Sequence, residues 1–209
     1  MIEFSDSISR HALILHPDNP LASVAVADLN LALRMQGILG DPLFVDATDT
    51  PSAVGWYAAG AQLLEQITFL GCSPVIRLAA THDGDTDVCR LRLLPPMAYP
   101  IWRAPIDATP PRCPRCRAPD VAWRDALPTW EADPLASRHA CPACGHTAPL
   151  HQWRLREAAG FGRSFVEFWG IHPGEAVPGE SLLACLAQLS NGSWRWFYWS
   201  GLIHFGVRL

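Results

Sequence analysis

The chain has 209 residues, 49% of them hydrophobic and 17% charged, with 19 prolines and a formal charge of −4. Such a balance specifies a folded protein with a sizeable core, in one large domain or two small ones, and excludes a disordered chain. No apolar run reaches the roughly 18 residues that a membrane-spanning helix needs, so no span is expected.

The segment His11–His16 reads as a short buried strand that stops at Pro17, and a helix is expected from Leu21 to Gln36, ended by Gly37 and Gly40. Leu43–Asp46 reads as a second strand. Thr50 and Pro51 suit the cap and first position of a further helix, expected over Ala53–Gln66. Val75–Ala79 and Val88–Leu93 both alternate and predict a hairpin. Between them, His82–Asp87 reads as a solvated Asp-Gly turn, because it lacks the twelve-residue spacing and closing glutamate of a calcium loop.

Seven prolines between Pro95 and Pro114 hold that stretch out of helix and central strand. Tyr99, Ile101 and Trp102 make it too apolar for a linker, so it is expected as an extended strap. Beyond it, Val121–Trp123 and His151–Leu155 read as short strands joined through a loop over 125–138. Ser164–Trp169 reads as a strand, Pro178–Leu189 as a helix with Leu182, Leu183, Leu186 and Leu189 on one stripe, and Trp194–Trp199 as a strand heavy in aromatics. These three compose a β–helix–β unit. An apolar strand of this kind needs cover, or it becomes an aggregation or partner site. The fold class is therefore α+β, a mixed α/β core with an embedded metal module. The expected parts are residues 1–94, a proline-rich strap over 95–112, the module over 113–156 and a C-terminal part over 157–209.

Cys113-Pro-Arg-Cys116 and Cys141-Pro-Ala-Cys144 carry the most specific chemistry in the chain. Two residues between a pair of cysteines let one short turn wrap two thiolates around an ion, and two such knuckles complete a tetrahedral four-sulfur site. All four positions being thiolate leaves no place for water or substrate on the metal, so the ion should stabilise rather than catalyse. His139 and His146 flank the second knuckle and are expected beside the site. Trp123, Trp130 and Trp153 are expected to cover it, or else to form a stacking platform for bases.

Over about residues 110–155 the pattern resembles zinc ribbons and, in Cys141-Pro-Ala-Cys144-Gly145, the second knuckle of rubredoxins. The zinc-ribbon resemblance implies bound Zn2+. The rubredoxin resemblance implies iron and electron transfer, although the first knuckle has Arg117 where a rubredoxin carries glycine.

Cys72, Cys89 and Cys185 remain. An odd remainder, together with Glu3 and Asp6 where a secretory signal would be positive, points to a reducing, cytoplasmic setting. All sixteen basic residues are arginines. Residues 1–89 carry a net −8, residues 90–163 a net +5 and residues 164–209 a net −1, so the metal module is an electropositive zone between acidic parts. Arg112, Arg115, Arg117 and Arg154 are the candidate partner-binding residues. There is no HExxH, no GxSxG and no dinucleotide fingerprint. Nor is there the His-x-Glu of a zinc deaminase. The expected role is a zinc-binding protein-interaction or accessory factor. The alternatives are a nucleic-acid-binding ribbon protein, and an enzyme with its pocket in the α/β part, for which Cys72 is the candidate nucleophile.

Overall fold

The computed structural model describes residues 8–43, 55–71, 74–79, 88–105, 108–155 and 159–203. In chain order these form β1 (Ile8–Pro17), α1 (Val26–Met35), β2 (Leu39–Leu43), β3 (Gly55–Ala59), α2 (Leu63–Gln66), β4 (Ile67–Phe69), β5 (Arg90–Leu93) and β6 (Ile101–Arg103). Then come α3 (Leu127–Ala132), β7 (His139–Ala140), β8 (Thr147–Ala148), β9 (Gly160–Gly162), β10 (Val166–Trp169), β11 (Ala176–Pro178), α4 (Glu180–Ser190) and β12 (Trp194–Ile203). Short 3-10 turns cover Trp123–Ala126 and Leu150–Gln152.

A six-stranded sheet in the order β12-β1-β10-β5-β3-β2, antiparallel throughout, organises the fold. It draws strands from both sides of the cysteine module, so residues before 94 and after 157 share one sheet. The protein is thus α+β and sheet-rich. Ala12, Leu13, Ile14 and Leu15 of β1 have no exposed surface, because the strand is paired on both edges and covered on both faces. Leu13, Leu15, Leu91, Leu93, Val166 and Phe168 pack beneath α1 and α4, which contribute Leu29, Leu33, Leu182 and Leu186. The opposite face carries Ala12, Ile14, Trp169 and Phe197.

The C-terminal segments form the expected strand, helix and strand. Gly170 (φ +87°) ends the first, and Asn191 (φ +51°) caps α4 in the left-handed conformation. However, β10 and β12 do not touch: β1 lies between them and pairs antiparallel with each. A strand from the far end of the chain completes the unit, and β12 sits at the sheet edge.

Several local expectations are corrected. Gly55–Ala59 is a strand rather than a helix, because Trp56 and Tyr57 pair with Arg92 and Leu91 on one side and Leu43 and Pro42 on the other. Helix α2 begins only at Leu63. Helix α1 starts at Val26, not Leu21, since the backbone N–H of Val24 is taken by Ser164 Oγ at 2.9 Å. The second strand runs earlier, over Leu39–Leu43; residues 44–46, the expected cap at Thr50–Pro51 and the turn at 82–87 lie outside the described residues. Residues 75–79 form no strand: the Val75 and Ile76 N–H groups donate to the Glu175 carboxylate at 2.5 and 2.7 Å. β5 pairs with β10 and β3 in place of that hairpin.

The strap carries one short strand, β6, which pairs with β9 and leads into the cysteine module. Arg103 at its end makes an ion pair with Glu167 of β10, which has no exposed surface. Arg92 lies 3.7 Å from the same carboxylate, and Trp169 Nε1 donates to it at 2.8 Å. Burial pulls the Arg92 guanidinium below its ordinary value, opposed by the Glu167 charge. A carboxylate removed from water needs such partners, and removing one side of a buried pair costs about 3–5 kcal/mol.

His16, near the end of β1, is also buried. Its Nδ1 lies 2.8 Å from the Pro17 carbonyl oxygen, and its ring packs between Phe165 and Phe197. Burial lowers its pKa to about 4, helped by Arg195 and opposed by the Pro17 carbonyl and Asp18.

Substituting Glu167→Ala, which strands Arg92 and Arg103, is expected to lower unfolding free energy by about 3–5 kcal/mol, read from urea midpoints; an unchanged midpoint refutes the buried-pair account. His16 gives a pH signature. Between about pH 6.5 and 4 the unfolded chain binds a proton at this residue that the folded chain refuses, so stability falls as pH drops through that window. The loss amounts to roughly 3 kcal/mol at most. Thermal melts should show the wild type losing stability on acidification from about pH 6.5 to pH 4, whereas His16→Phe, with nothing to titrate at this position, lacks that part of the loss.

Candidate metal centre

The two knuckles adopt the same backbone path. In the first, Arg117 N–H donates to Cys113 O at 3.0 Å, and Cys113 N–H donates to Ala118 O at 3.0 Å. In the second, Gly145 N–H donates to Cys141 O and Cys141 N–H to His146 O, both at 2.8 Å. Each turn therefore needs a left-handed residue directly after its second cysteine. Gly145 (φ +68°) meets that need without strain, whereas Arg117 (φ +64°) does so with a Cβ that disfavours the conformation.

These turns bring Cys113, Cys116, Cys141 and Cys144 together, with all four sulfurs within 4.8 Å of one another. Cys113 Sγ lies 3.8 Å from Cys144 Sγ, and Cys116 Sγ lies 3.6 Å from Cys141 Sγ. A tetrahedral ion with metal–sulfur bonds of about 2.3 Å sets its sulfurs about 3.8 Å apart, whereas a disulfide needs about 2.05 Å. The cluster has the size of a metal cage, and the donor set suits a soft or borderline ion.

Desolvation pushes the Cys113 thiol up, but the backbone N–H groups of Cys116 and Arg115 and the neighbouring thiols outweigh it and hold the group at about 7. The Arg115 N–H contact to Cys113 Sγ measures 3.4 Å. Cys113 and Cys141 are buried, while Cys116 and Cys144 are exposed, so one edge of the cage meets solvent. The spare thiols differ. Burial pushes Cys89 up to about 12 and also raises Cys185, which makes both poor nucleophiles. Cys72 lies outside the described residues.

Support for the cage comes from a small aromatic core. Trp130, Trp153, Leu150 and Phe161 pack with Cys113 and Cys141. Trp102 contacts Trp123 and Phe161 at ring separations of 4.7 and 4.6 Å, and Trp130 contacts Phe161 at 4.7 Å. Trp123, Trp130 and Trp153 are at most 3% exposed. They serve as cover for the cage, and none of them forms an open stacking platform on the module's outer surface.

Val121–Trp123 is not the expected strand. Asp120 Oδ1 accepts the Ala122 N–H at 3.0 Å and starts a 3-10 turn that runs into α3, within the segment expected as loop. The expected strand at 151–155 is likewise a 3-10 turn, after which Arg154 forms a backbone bridge to Arg112.

Sequence reasoning missed one pairing. Asp120, 2% exposed, makes an ion pair with His139 Nε2, and His139 packs on Trp153 with ring centroids 5.0 Å apart. This links the segment after the first knuckle to β7, which leads into the second, and places His139 beside the cage rather than on it. Nothing in the spacing of Asp120 and His139 signals the contact.

The four candidate arginines gather on the first knuckle. Arg112 is half-buried; its Nη1 donates to Arg117 O at 3.0 Å, and its backbone exchanges two 2.9 Å hydrogen bonds with Arg154. Arg115, Arg117 and Arg154 are exposed and form no ion pair among the described residues.

No protein-family model, curated protein or solved structure matches the chain. Among the described residues no helix is long and apolar enough to cross a membrane.

Replacing either buried ligand, Cys113→Ala or Cys141→Ala, is expected to release the metal and lower thermal stability. The checks are elemental analysis of the purified variant and its melting curve. A variant that keeps one tightly held ion excludes the four-thiolate cage.

Proposed function

We propose that this protein is a zinc-binding accessory factor that docks to another protein through the arginine-bearing face of its first knuckle. The conformation of Arg117 carries the reading. The turn asks for glycine, and the second knuckle has one; the first keeps an exposed arginine at a cost of about 1 kcal/mol. Strain held at an exposed position is a mark of use by the side chain. Arg115 and Arg154, exposed and in no ion pair among the described residues, add two more charges, Arg154 through its backbone bridge to Arg112, and a partner with an acidic surface complements them.

A closed four-sulfur cage supports a stabilising ion, and zinc fits it with no redox role. Iron is the alternative: a ferric tetrathiolate colours the protein, whereas zinc leaves it colourless. Nucleic acid is the competing partner, but burial of the three module tryptophans leaves it only phosphate contacts to use.

Two substitutions test the reading. Arg117→Gly is expected to stabilise the protein by about 1 kcal/mol, and Arg115→Ala with Arg117→Ala to leave metal content unchanged. Both should weaken capture of a discrete host protein that survives nuclease treatment. Capture that is unaffected by either change refutes the docking face. Capture lost on nuclease treatment, with affinity falling steeply with salt, assigns nucleic acid instead.

A further inference from the structure

A cavity of about 720 Å3 opens where the cysteine module meets the sheet, a volume within the range of small-molecule sites. Its walls come from five separate parts of the chain: the end of β1 with the residues just after it, Thr109 of the strap, the segment after the second knuckle, β9, and the start of β12. Four aromatic side chains line it, Trp153, Phe161, Trp194 and Trp196. Such walls suit a flat ring.

The polar groups are few and specific. His16 uses Nδ1 on the Pro17 carbonyl, so Nδ1 carries the ring hydrogen and Nε2 presents a lone pair. Gly160 leaves room at that atom, since a Cβ there would stand 2.6 Å from Nε2. His16 is 7% exposed, and among the described residues no group bonds Nε2. Trp153 Nε1 and His151 Nδ1 are also buried without a hydrogen-bond partner. Those two atoms lack accessible surface, so it is the unpartnered His16 Nε2 that favours an occupant with a donor of its own.

Charge narrows the class. Among the described lining residues the only carboxylate and the only guanidinium, Asp18 and Arg195, are paired with each other. Burial lowers the pKa of both lining histidines, so near neutral pH the described lining carries no net charge. Among these residues a phosphate or a cation finds no free counter-charge.

From these features we infer that the cavity binds an uncharged planar nitrogen heterocycle of the nucleobase class, whose N–H donates to His16 Nε2 while its ring lies against the tryptophans. None of Arg112, Arg115, Arg117 and Arg154 lines the cavity, so the Arg115 and Arg117 substitutions leave this site in place.

The test uses the intact metal-bound protein and follows tryptophan fluorescence with calorimetry. Benzimidazole and 1-methylbenzimidazole differ by the one N–H at issue; adenine and adenosine separate a free base from a nucleoside as the source. Benzimidazole is expected to bind saturably and about 10-fold more tightly than its methyl analogue, the worth of one hydrogen bond. His16→Phe should erase that preference. Thr109→Trp, at an exposed lining position, should block all four probes without touching the core. A preference that persists in His16→Phe overturns the assignment, as does failure of both adenine and adenosine to bind at millimolar concentration. Binding of adenine alone assigns the free base, and binding of adenosine the nucleoside.

Discussion

A carboxylate with no exposed surface decides where the cysteine module sits. Glu167 lies in β10 among apolar neighbours, and a bare charge there would be untenable. Arg92 answers it from the next strand of the sheet, but Arg103 comes from the strap. Through Arg103 the strap is held across the sheet, and β6 then pairs with β9 to place Phe161 among the tryptophans of the module. Sheet and metal cage are thus parts of one packed body, joined by an ion pair, a two-stranded ribbon and an aromatic cluster.

Within the module the division of labour follows from size. Few residues are available for a core, and most of those buried are aromatic or cysteine. A metal held by the four thiols would supply what burial alone cannot at this scale. The tryptophans then seal the inner side of the cage, the Asp120–His139 pair ties its two halves, and the outer side is left to Arg115, Arg117 and the two exposed thiols. The packed contacts lie on the inner side, and the exposed arginines and thiols on the outer one.

Much of the sheet was legible. His11–His16 is an apolar run stopped by Pro17 and Trp194–Trp199 is rich in aromatics, so both are read directly, and the leucine stripe of α4 ends at Asn191 as its capping chemistry requires. The four cysteines were legible because coordination geometry restricts spacing more tightly than secondary structure does. Gly55–Ala59 was not, since its strand form depends on partners in β2 and β5 far along the chain. Residues 75–79 alternate like a strand, yet the Glu175 carboxylate takes the N–H groups a ladder would have used. Trp123 and Trp153 were read as cover, but the 3-10 turns that deliver them arise from local hydrogen bonds at Asp120 and Pro149 that hydrophobic periodicity does not register. The strap's grip on Glu167 and the wall of the cavity were hidden for the same reason: each joins residues distant in sequence.

The insertion of β1 between β10 and β12 has a consequence for the order of assembly. Ala12 faces Trp169 on one side and Trp199 on the other, so the central strand has no neighbour until nearly the whole chain has been made. Pairings of such long separation are slow, because loop closure precedes any return from contact. The knuckles, by contrast, are close in sequence and can close on their ion early. Doing so draws the two ends of the intervening segment together and shortens the effective loop between the halves of the sheet. A metal on the four thiols would therefore also act as a kinetic staple, and a chain made in metal-poor conditions would leave an apolar β1 waiting, unpaired, for partners that arrive late.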